Sequence, residues 1–385
     1  MFKVTFSFED GSMVETFANA GDNLLEVARS ANVAIDAPCS GNGACGKCRV
    51  QLKSGELESK KTLHISDEEY QAGWRLSCCS KISADVNVLV PDIASAYKSR
   101  MKVADLSSKE EIAIFENAKS DIQLAGIELK NSLEVVDVLM DVPSLDDTMP
   151  DNERLTRALR KYLNINRVRI PYVVLKKLPD VLRENNFAVK CVIRATSDDM
   201  YVYDIFGKDE DVVIGGLAID IGTTTVSAVL INMENGEILA KSSAGNGQIR
   251  FGADVINRIV ESQKPGGQKK LQDAVIKETI NPMIHEMCKS AKFPKDHIYR
   301  MCVASNTTMN HLFAGINADP LRTEPYIPAF FKTNSLFASD VGVDINKDAH
   351  IIMAPNIGSY VGGDITAGTL VSQIWNRPEF SLFID

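Results

Sequence analysis

The chain lacks a basic excess: 42 Lys and Arg against 51 Asp and Glu leave a formal net charge of -9 over 385 residues. That balance argues against a nucleic-acid partner gripped through phosphate contacts. Long apolar runs are also missing. No segment reaches the roughly 18 apolar residues that a membrane-spanning helix needs, so no membrane partner is expected. No N-terminal stretch joins a basic start, an apolar run and a small-residue cleavage site, which argues against secretion. No G-x-G-x-x-G fingerprint stands between a strand candidate and a helix candidate, which counts against a dinucleotide-fed reductase module. Low-complexity tracts and short-period repeats are absent. What remains, with 45% hydrophobic and 24% charged residues, is ordinary globular composition at a length that predicts two to four domains.

The eight cysteines are unevenly placed. Five fall between positions 39 and 79, and Cys191, Cys288 and Cys302 are scattered through the rest. A disulfide framework suits a short secreted chain, whereas clustered thiols in a long one suit metal or cluster ligation in a reducing cytoplasm.

Around the cysteines the chain reads as a small β-grasp unit. Strands are expected at 2–8 and 13–17 about the turn Asp10-Gly11, a helix at 23–31, then strands near 48–53 and 86–90. Between them PCSGNGACGKCRV sets Cys39, Cys45 and Cys48 in a glycine-rich loop, and GWRLSCC supplies a fourth thiol 29 residues beyond Cys48. Glycines let backbone N–H groups approach anionic sulfur, and three clustered cysteines with one distant partner form the plant-type [2Fe-2S] pattern. The competing reading is a four-thiolate zinc site, which normally comes as two separated C-x2-C pairs; only one is present. The fourth ligand is either Cys78 or Cys79.

Beyond Pro91, residues 94–131 read as a polar helical connector. A second α/β unit follows: LEVVDVLMDV as a strand, ERLTRALRKYL as a helix, PYVVLKKLPDVLREN as a helix with Pro171 near its first turn, and FAVKCVIRA as a strand. The acidic stretch Asp141–Asp151 reads as a solvated loop. From Gly215 two apolar strands flank Asp220-Ile-Gly222-Thr223-Thr224-Thr225, a tight turn whose N–H groups and hydroxyls suit a phosphate chain, with Asp220 placed to hold Mg²⁺ through water. The bland alternative is a hairpin with threonines feeding the next strand. Glu234-Asn235-Gly236 turns the chain into another strand; helices are expected near 252–264, 268–291 and 361–374, a strand at 298–304, and a strand beginning at SLFID. Asp254 stands at a helix start, Asn306, Thr307 and Thr308 stand just past an apolar strand, and Gly358, Gly362, Gly363 and Asp364 head another helix. Each fits ordinary capping; together they suggest one phosphate-facing cleft. His285 and Cys288 lack further ligands, His64, His297 and His350 read as surface or capping residues, and His311 as structural.

These motifs together (CSGNGACGKC, GWRLSC, IDIGTTT, RFGADVINRI, SNTTMNHLF and IGSYVGGDITAG) resemble the reductive activators of corrinoid-dependent enzymes. That resemblance implies a plant-type ferredoxin over 1–93, a helical linker over 94–131, a middle α/β domain over 132–212, and over 213–385 the first lobe of an actin-like (ribonuclease-H-like) ATPase of the sugar-kinase and chaperone superfamily. The fold class is thus α+β and α/β multidomain. It favours Cys78 over Cys79 and makes Asp220, Gly222, Thr223, Thr224 and Thr225 the first phosphate motif, with Asn306, Thr307, Gly362, Gly363 and Asp364 beside it. The second phosphate turn would come directly after Asp385, so ATP hydrolysis by these residues alone is not expected and the chain reads as cut short. The implied cofactors are a [2Fe-2S] cluster and ATP with Mg. The implied activity is ATP-dependent transfer of one electron to the Co(II) corrinoid of a methyltransferase system, regenerating Co(I). The implied partners are a corrinoid protein or methyltransferase, an upstream electron donor and, compatibly, a second copy of the chain. The rival reading is a ferredoxin carrier or a reductase component, fused to a non-hydrolysing scaffold.

Overall fold

The computed structural model describes residues 1–385 except 9, 10, 32, 34, 36, 38–40, 42, 44, 45, 92–108, 130, 131, 164, 197, 334 and 383–385. Three sheets of four or five strands, each with its own buried core, and one two-stranded sheet organise these residues.

The first sheet has order β2-β1-β7-β3-β5. Its strands are β1 (Phe2–Phe8), β2 (Met13–Ala18), β3 (Arg49–Ser54), β5 (Trp74–Leu76) and β7 (Val86–Val90), with β4 (Leu57–Ser59) and β6 (Ser80–Ile82) pairing separately. Alternation in β1 sends Val4 and Phe6 into a core shared with Leu24, Leu25 and Ala28 of helix α1 (Leu24–Ser30). A short helix α2 (Asp67–Gln71) opens on a Ser66–Glu69 capping box. Parallel pairing of β1 with β7 closes the β-grasp. The expected elements sit here; β4, β5, β6 and α2 were not anticipated, being only three to five residues long. Asp10 lies outside the described residues.

Of the expected connector, α3 (Lys109–Leu124) is helical, while 94–108 lies outside the described residues. The second sheet has order β8-β10-β11-β9, from β8 (Leu133–Leu139), β9 (Arg167–Arg169), β10 (Ala188–Ala195) and β11 (Asp199–Gly207). Helices α4 (Asp151–Leu163) and α5 (Tyr172–Glu184) place Leu155, Leu159, Val174, Leu178 and Leu182 on this sheet. Most of the acidic stretch is exposed, as expected of a solvated loop, and it is pinned at one point. Arg154, fully buried, donates to the Asp147 carboxylate at 2.7 Å and to the Asp141 carbonyl at 3.0 Å, and so holds the Asp147 carboxyl below the usual carboxylate range.

The third sheet has order β14-β13-β12-β15-β16, from β12 (Gly215–Ile221), β13 (Thr225–Asn232), β14 (Ile238–Gly245), β15 (Ile298–Ser305) and β16 (His350–Met353). The first three form an antiparallel meander, turned at Gly236 (φ +77°) as Asn-Gly predicts. β15 and β16 then add in parallel to β12. Helices α6 (Val255–Ser262), α7 (Gly267–Val275) and α8 (Asn281–Ala291) follow the meander, the last two joined by a π-helical turn, Ile276–Ile280. Helices α9 (Thr307–Ala314), α10 (Ala338–Val341) and α11 (Gly363–Ser372) complete the unit. β16 was not anticipated, and Ser381 and Leu382 are not in a strand; the rest of SLFID lies outside the described residues.

The second and third units share a further buried cluster, Leu133, Val192, Tyr203, Phe206, Val212, Ile214 and Tyr299. His297 belongs to this contact, ringed by Phe206, Phe293 and Tyr299, and burial lowers its pKa. His350 is likewise half-buried, and burial together with Arg194, Arg300 and Arg169 pulls it down to about 4. Neither is the surface residue the pattern suggested.

Candidate functional site

Two strand ends bring together Cys48 and Cys78, two of the four expected ligands. β3 begins directly after Cys48, and β5 ends two residues before Cys78. Their antiparallel register, Arg49 opposite Leu76, continues into a Ser77 N–H bond to the Cys48 carbonyl at 2.8 Å. The Cys48 and Cys78 sulfurs therefore stand 3.2 Å apart, with Cys79 Sγ 3.6 Å from Cys78 Sγ. Sharing a proton with Cys78 pulls the Cys48 thiol down to about 6, and the same contact, with burial, raises Cys78. Asn23, the N-cap of α1, donates from Nδ2 to the Cys78 carbonyl at 2.8 Å and so ties the helix to the ligand segment. Cys39 and Cys45 lie outside the described residues.

The loop itself accounts for the glycines. Gly41, Gly43 and Gly46 have φ of +89°, +73° and +67°, conformations that favour glycine. A Cβ on Gly43 would come within 3.3 Å of Cys79 Sγ, and one on Gly46 within 2.6 Å of the His64 side chain. These three glycines do spell G-x-G-x-x-G by letter. They run into β3 rather than opening a helix, so the pyrophosphate setting of that motif is missing. Two convergent sulfurs beside a backbone that only glycine follows fit an iron–sulfur cluster. Among the described residues no group of three His, Cys, Asp or Glu makes a second metal site.

The other site lies at one end of the third sheet. Because β12 and β15 run parallel with Ile221 opposite Ser305, the turn after β12 and the loop after β15 emerge side by side, at the strand ends where open α/β sheets bind ligands. Three consecutive carbonyls of the turn are bound from behind. Asn246 donates from Nδ2 to Gly222 O and from its backbone to Thr224 O, both at 2.8 Å. Arg258 Nη2 donates to Thr223 O, and Arg258 also reaches Gly252 O at 2.9 Å and Gln248 Oε1 at 3.2 Å. In a planar trans peptide the N–H points opposite to the preceding C=O, so the N–H groups of Thr223 and Thr224 face away from Asn246 and Arg258. Burial brings the Arg258 pKa down to about 9.

Facing the turn, Asn306 caps α9 through Met309 N–H and reaches Thr223 Oγ1 at 3.4 Å. Gly362 packs on Asn306 so closely that a Cβ there would lie 2.6 Å from Ser305 O, and one on Gly363 2.5 Å from Ala354 O. Thr307 donates to Gly358 O at 2.7 Å. Thus Gly222, Thr223, Asn306, Thr307, Gly358 and Gly362 meet. Thr225 already belongs to β13, paired with Gly245. Asp220 ends β12 exposed, Asp364 lies in the first turn of α11, and Asp254 caps α6 through Asn257 N–H. Below this floor Asn310 joins Ser305 and Asn356 in a buried network. His311 is structural as expected: it bonds to Thr307 O, accepts from Ala329 N–H and stacks on Phe330.

Sequence reasoning missed Asn246, Arg258 and Asn23. Asn246 carried one signal, an Asn-Gly pair directly after an apolar strand; Arg258 sat unremarked within RFGADVINRI.

Residues 7–83 match the 2Fe-2S iron-sulfur cluster binding domain, 122–212 the RACo linker region and 215–377 the RACo middle region. The chain belongs to the RACo family. It is 27% identical over 346 residues to the corrinoid activation enzyme RamQ of Eubacterium limosum, covering 89% of this chain and 51% of that protein. A solved reductive activator for corrinoid, iron-sulfur protein superposes with a TM-score of 0.59 at 32% identity, covering 98% of this chain and 59% of that one. The chain thus spans about half the length of its whole-chain relatives. The ferredoxin portion alone is 35% identical over 91 residues to one component of the Na(+)-translocating NADH-quinone reductase of Actinobacillus succinogenes, covering 23% of this chain and 22% of that protein. The cysteine loop of this RACo-type chain has five residues in its first interval, one more than the plant-type spacing. The α/β unit expected as a middle domain falls in the stretch described as the RACo linker region, and the strand-end cleft falls in the RACo middle region. No helix among the described residues is long and apolar enough to cross a membrane.

Proposed function

We propose that this protein is an ATP-dependent reductive activator that delivers one electron to the Co(II) corrinoid of a partner protein and restores Co(I). The observation that carries this reading is the presence, in one chain, of the convergent Cys48–Cys78 pair and the strand-end cleft where Thr223, Asn306 and Gly362 meet. When bound, a [2Fe-2S] cluster takes up and releases single electrons. Cys39, Cys45, Cys48 and Cys78 are its proposed ligands, with Cys79 a neighbouring free thiol.

In the cleft, the outward N–H groups of Thr223 and Thr224 would receive phosphate oxygens, and Asp220 and Asp364 would hold Mg²⁺ through water. Asn246 and Arg258 act as positioning residues that fix the turn from behind. For one electron each 30 mV of uphill potential corresponds to about 0.7 kcal/mol, so a few hundred millivolts lies within reach of nucleotide-driven conformational change. The proposed partners are a corrinoid protein or methyltransferase and an upstream donor in the cytoplasm. The proposed division is a ferredoxin over 1–93, a linker over 94–131, an α/β unit over 132–212 and an ATPase lobe over 213–385.

The test is nucleotide titration of the protein with and without Mg²⁺. Affinity that falls at least tenfold in Thr223→Val or Asp220→Asn supports the reading. No affinity for ATP sinks it and leaves a ferredoxin carrier on an interaction scaffold.

A further inference from the structure

The ferredoxin unit touches the third unit through a buried arginine. Arg29, near the end of α1, is 4% exposed. Its Nε donates to the Arg250 carbonyl at 2.8 Å; its Nη1 lies 2.7 Å from Glu26 Oε1 and 3.9 Å from Glu261 Oε2. Glu261 is also 4% exposed and pairs with Lys264 at 2.6 Å. Among the described residues Arg29 Nη2 is buried with no hydrogen-bond partner. This contact differs in kind from the one between the second and third units, which share an apolar core. Apolar cores hold two units as one body, whereas an incompletely satisfied buried charge pair is a marginal contact that a small change releases.

The arginine sits at a junction. At the other end of α1, Asn23 holds the carbonyl of Cys78. On the far side, Arg250 lies in the 3-10 turn Gly247–Phe251, whose N-cap Asn246 grips the Gly222 and Thr224 carbonyls. Glu261 stands on α6 three residues after Arg258, which grips the Thr223 carbonyl. The Asp220–Thr225 turn and the ferredoxin therefore lean on the same two short elements.

We propose that the face formed by Arg250 and Glu261 is a reversible docking surface for the chain's own ferredoxin, latched by Arg29, and that residues 246–262 link docking to occupancy of the Asp220–Thr225 turn. The second half of this inference rests on the nucleotide reading above; the first half does not. Linkage is reciprocal, so whatever factor nucleotide exerts on docking, the latch exerts on nucleotide affinity.

Hydrogen–deuterium exchange on the cluster-loaded protein tests it, using Arg29→Met and Glu261→Gln from opposite sides of the contact. Retention of the visible cluster spectrum establishes that each variant keeps its ferredoxin fold; if Arg29→Met loses it, Glu261→Gln carries the same comparison. Without nucleotide, exchange across 247–262 is expected to speed at least threefold in the variants, and unchanged exchange overturns the latch. With a non-hydrolysable ATP analogue and Mg²⁺, the wild type should gain protection at 220–225 and change its exchange at 24–30. In the variants the first response should persist and the second disappear. Protection at 220–225 with no response at 24–30 in the wild type, or an equal response in the variants, overturns the linkage alone. No protection at 220–225 overturns both the linkage and the nucleotide reading, while the nucleotide-free comparison still decides the latch.

Discussion

Gly362→Ala is a sharp perturbation of the cleft because its effect is purely steric. Gly362 has φ of -97°, a conformation alanine adopts without strain. The new Cβ, however, would lie 2.6 Å from Ser305 O and against the Asn306 backbone. The nearest atom is Asn306 Cα at 2.4 Å and ordinary contact begins near 3.4 Å, so the start of α11 must retreat by about 1 Å from the end of β15. Neither neighbour is a flexible side chain. Overpacking of this kind costs about 1–3 kcal/mol, which for a unit of this size lowers the melting temperature by roughly 2–12 °C. A misplacement near 1 Å in a ligand site weakens its work by up to about 100-fold, so nucleotide affinity should fall between 10- and 100-fold. Gly358→Ala is the control, since a Cβ there meets nothing within 4 Å and stability should stay within about 0.5 kcal/mol. Thermal unfolding and titration with a fluorescent ATP analogue read both quantities. A Gly362→Ala protein that melts and binds like wild type, or a Gly358→Ala protein that fails equally, would refute the close approach of these two loops.

Other outcomes follow from the same geometry. Cys48→Ser and Cys78→Ser should each abolish the visible charge-transfer absorption of the cluster, while Cys79→Ser keeps it; loss in Cys79→Ser with retention in Cys78→Ser would reassign the fourth ligand. Arg154→Met should destabilise the second unit by about 3 kcal/mol, because the Asp141 and Asp147 carbonyls lose a buried donor; denaturant titration reads it. The His350 imidazole takes a proton near 6.5 when unfolded but resists until about 4 when folded, so stability should fall as pH drops across that window. His350→Gln should lose its share of that slope, leaving the part due to His297 and His311, which burial also lowers, and an unchanged slope would place the burden elsewhere.

Much of this was legible in the residues. The strand runs of β1, β12 and β13 and the Asn-Gly hairpin are local signals, and each of these elements formed where its signal stood; of the four expected cysteines, Cys39 and Cys45 lie outside the described residues. His297 was misjudged because Phe206, which packs on it, comes from a distant part of the chain. The short strands β4, β5 and β6 exist through pairing rather than propensity, so a single sequence carries little trace of them. In the cleft, the residues proposed to face a nucleotide were visible as glycines, threonines and asparagines at strand ends. Those that hold the turn from behind, Asn246 and Arg258, were not, since a buried arginine bonded to carbonyls looks in sequence like any polar helix residue.

The central claim, nucleotide-coupled delivery of an electron to cobalt, is tested most directly by mixing the reduced protein with a Co(II) corrinoid protein and following the visible spectrum with and without ATP and Mg²⁺. The account predicts a Co(I) band that grows only when nucleotide is present. A band that grows equally without nucleotide, or none under either condition, would contradict it.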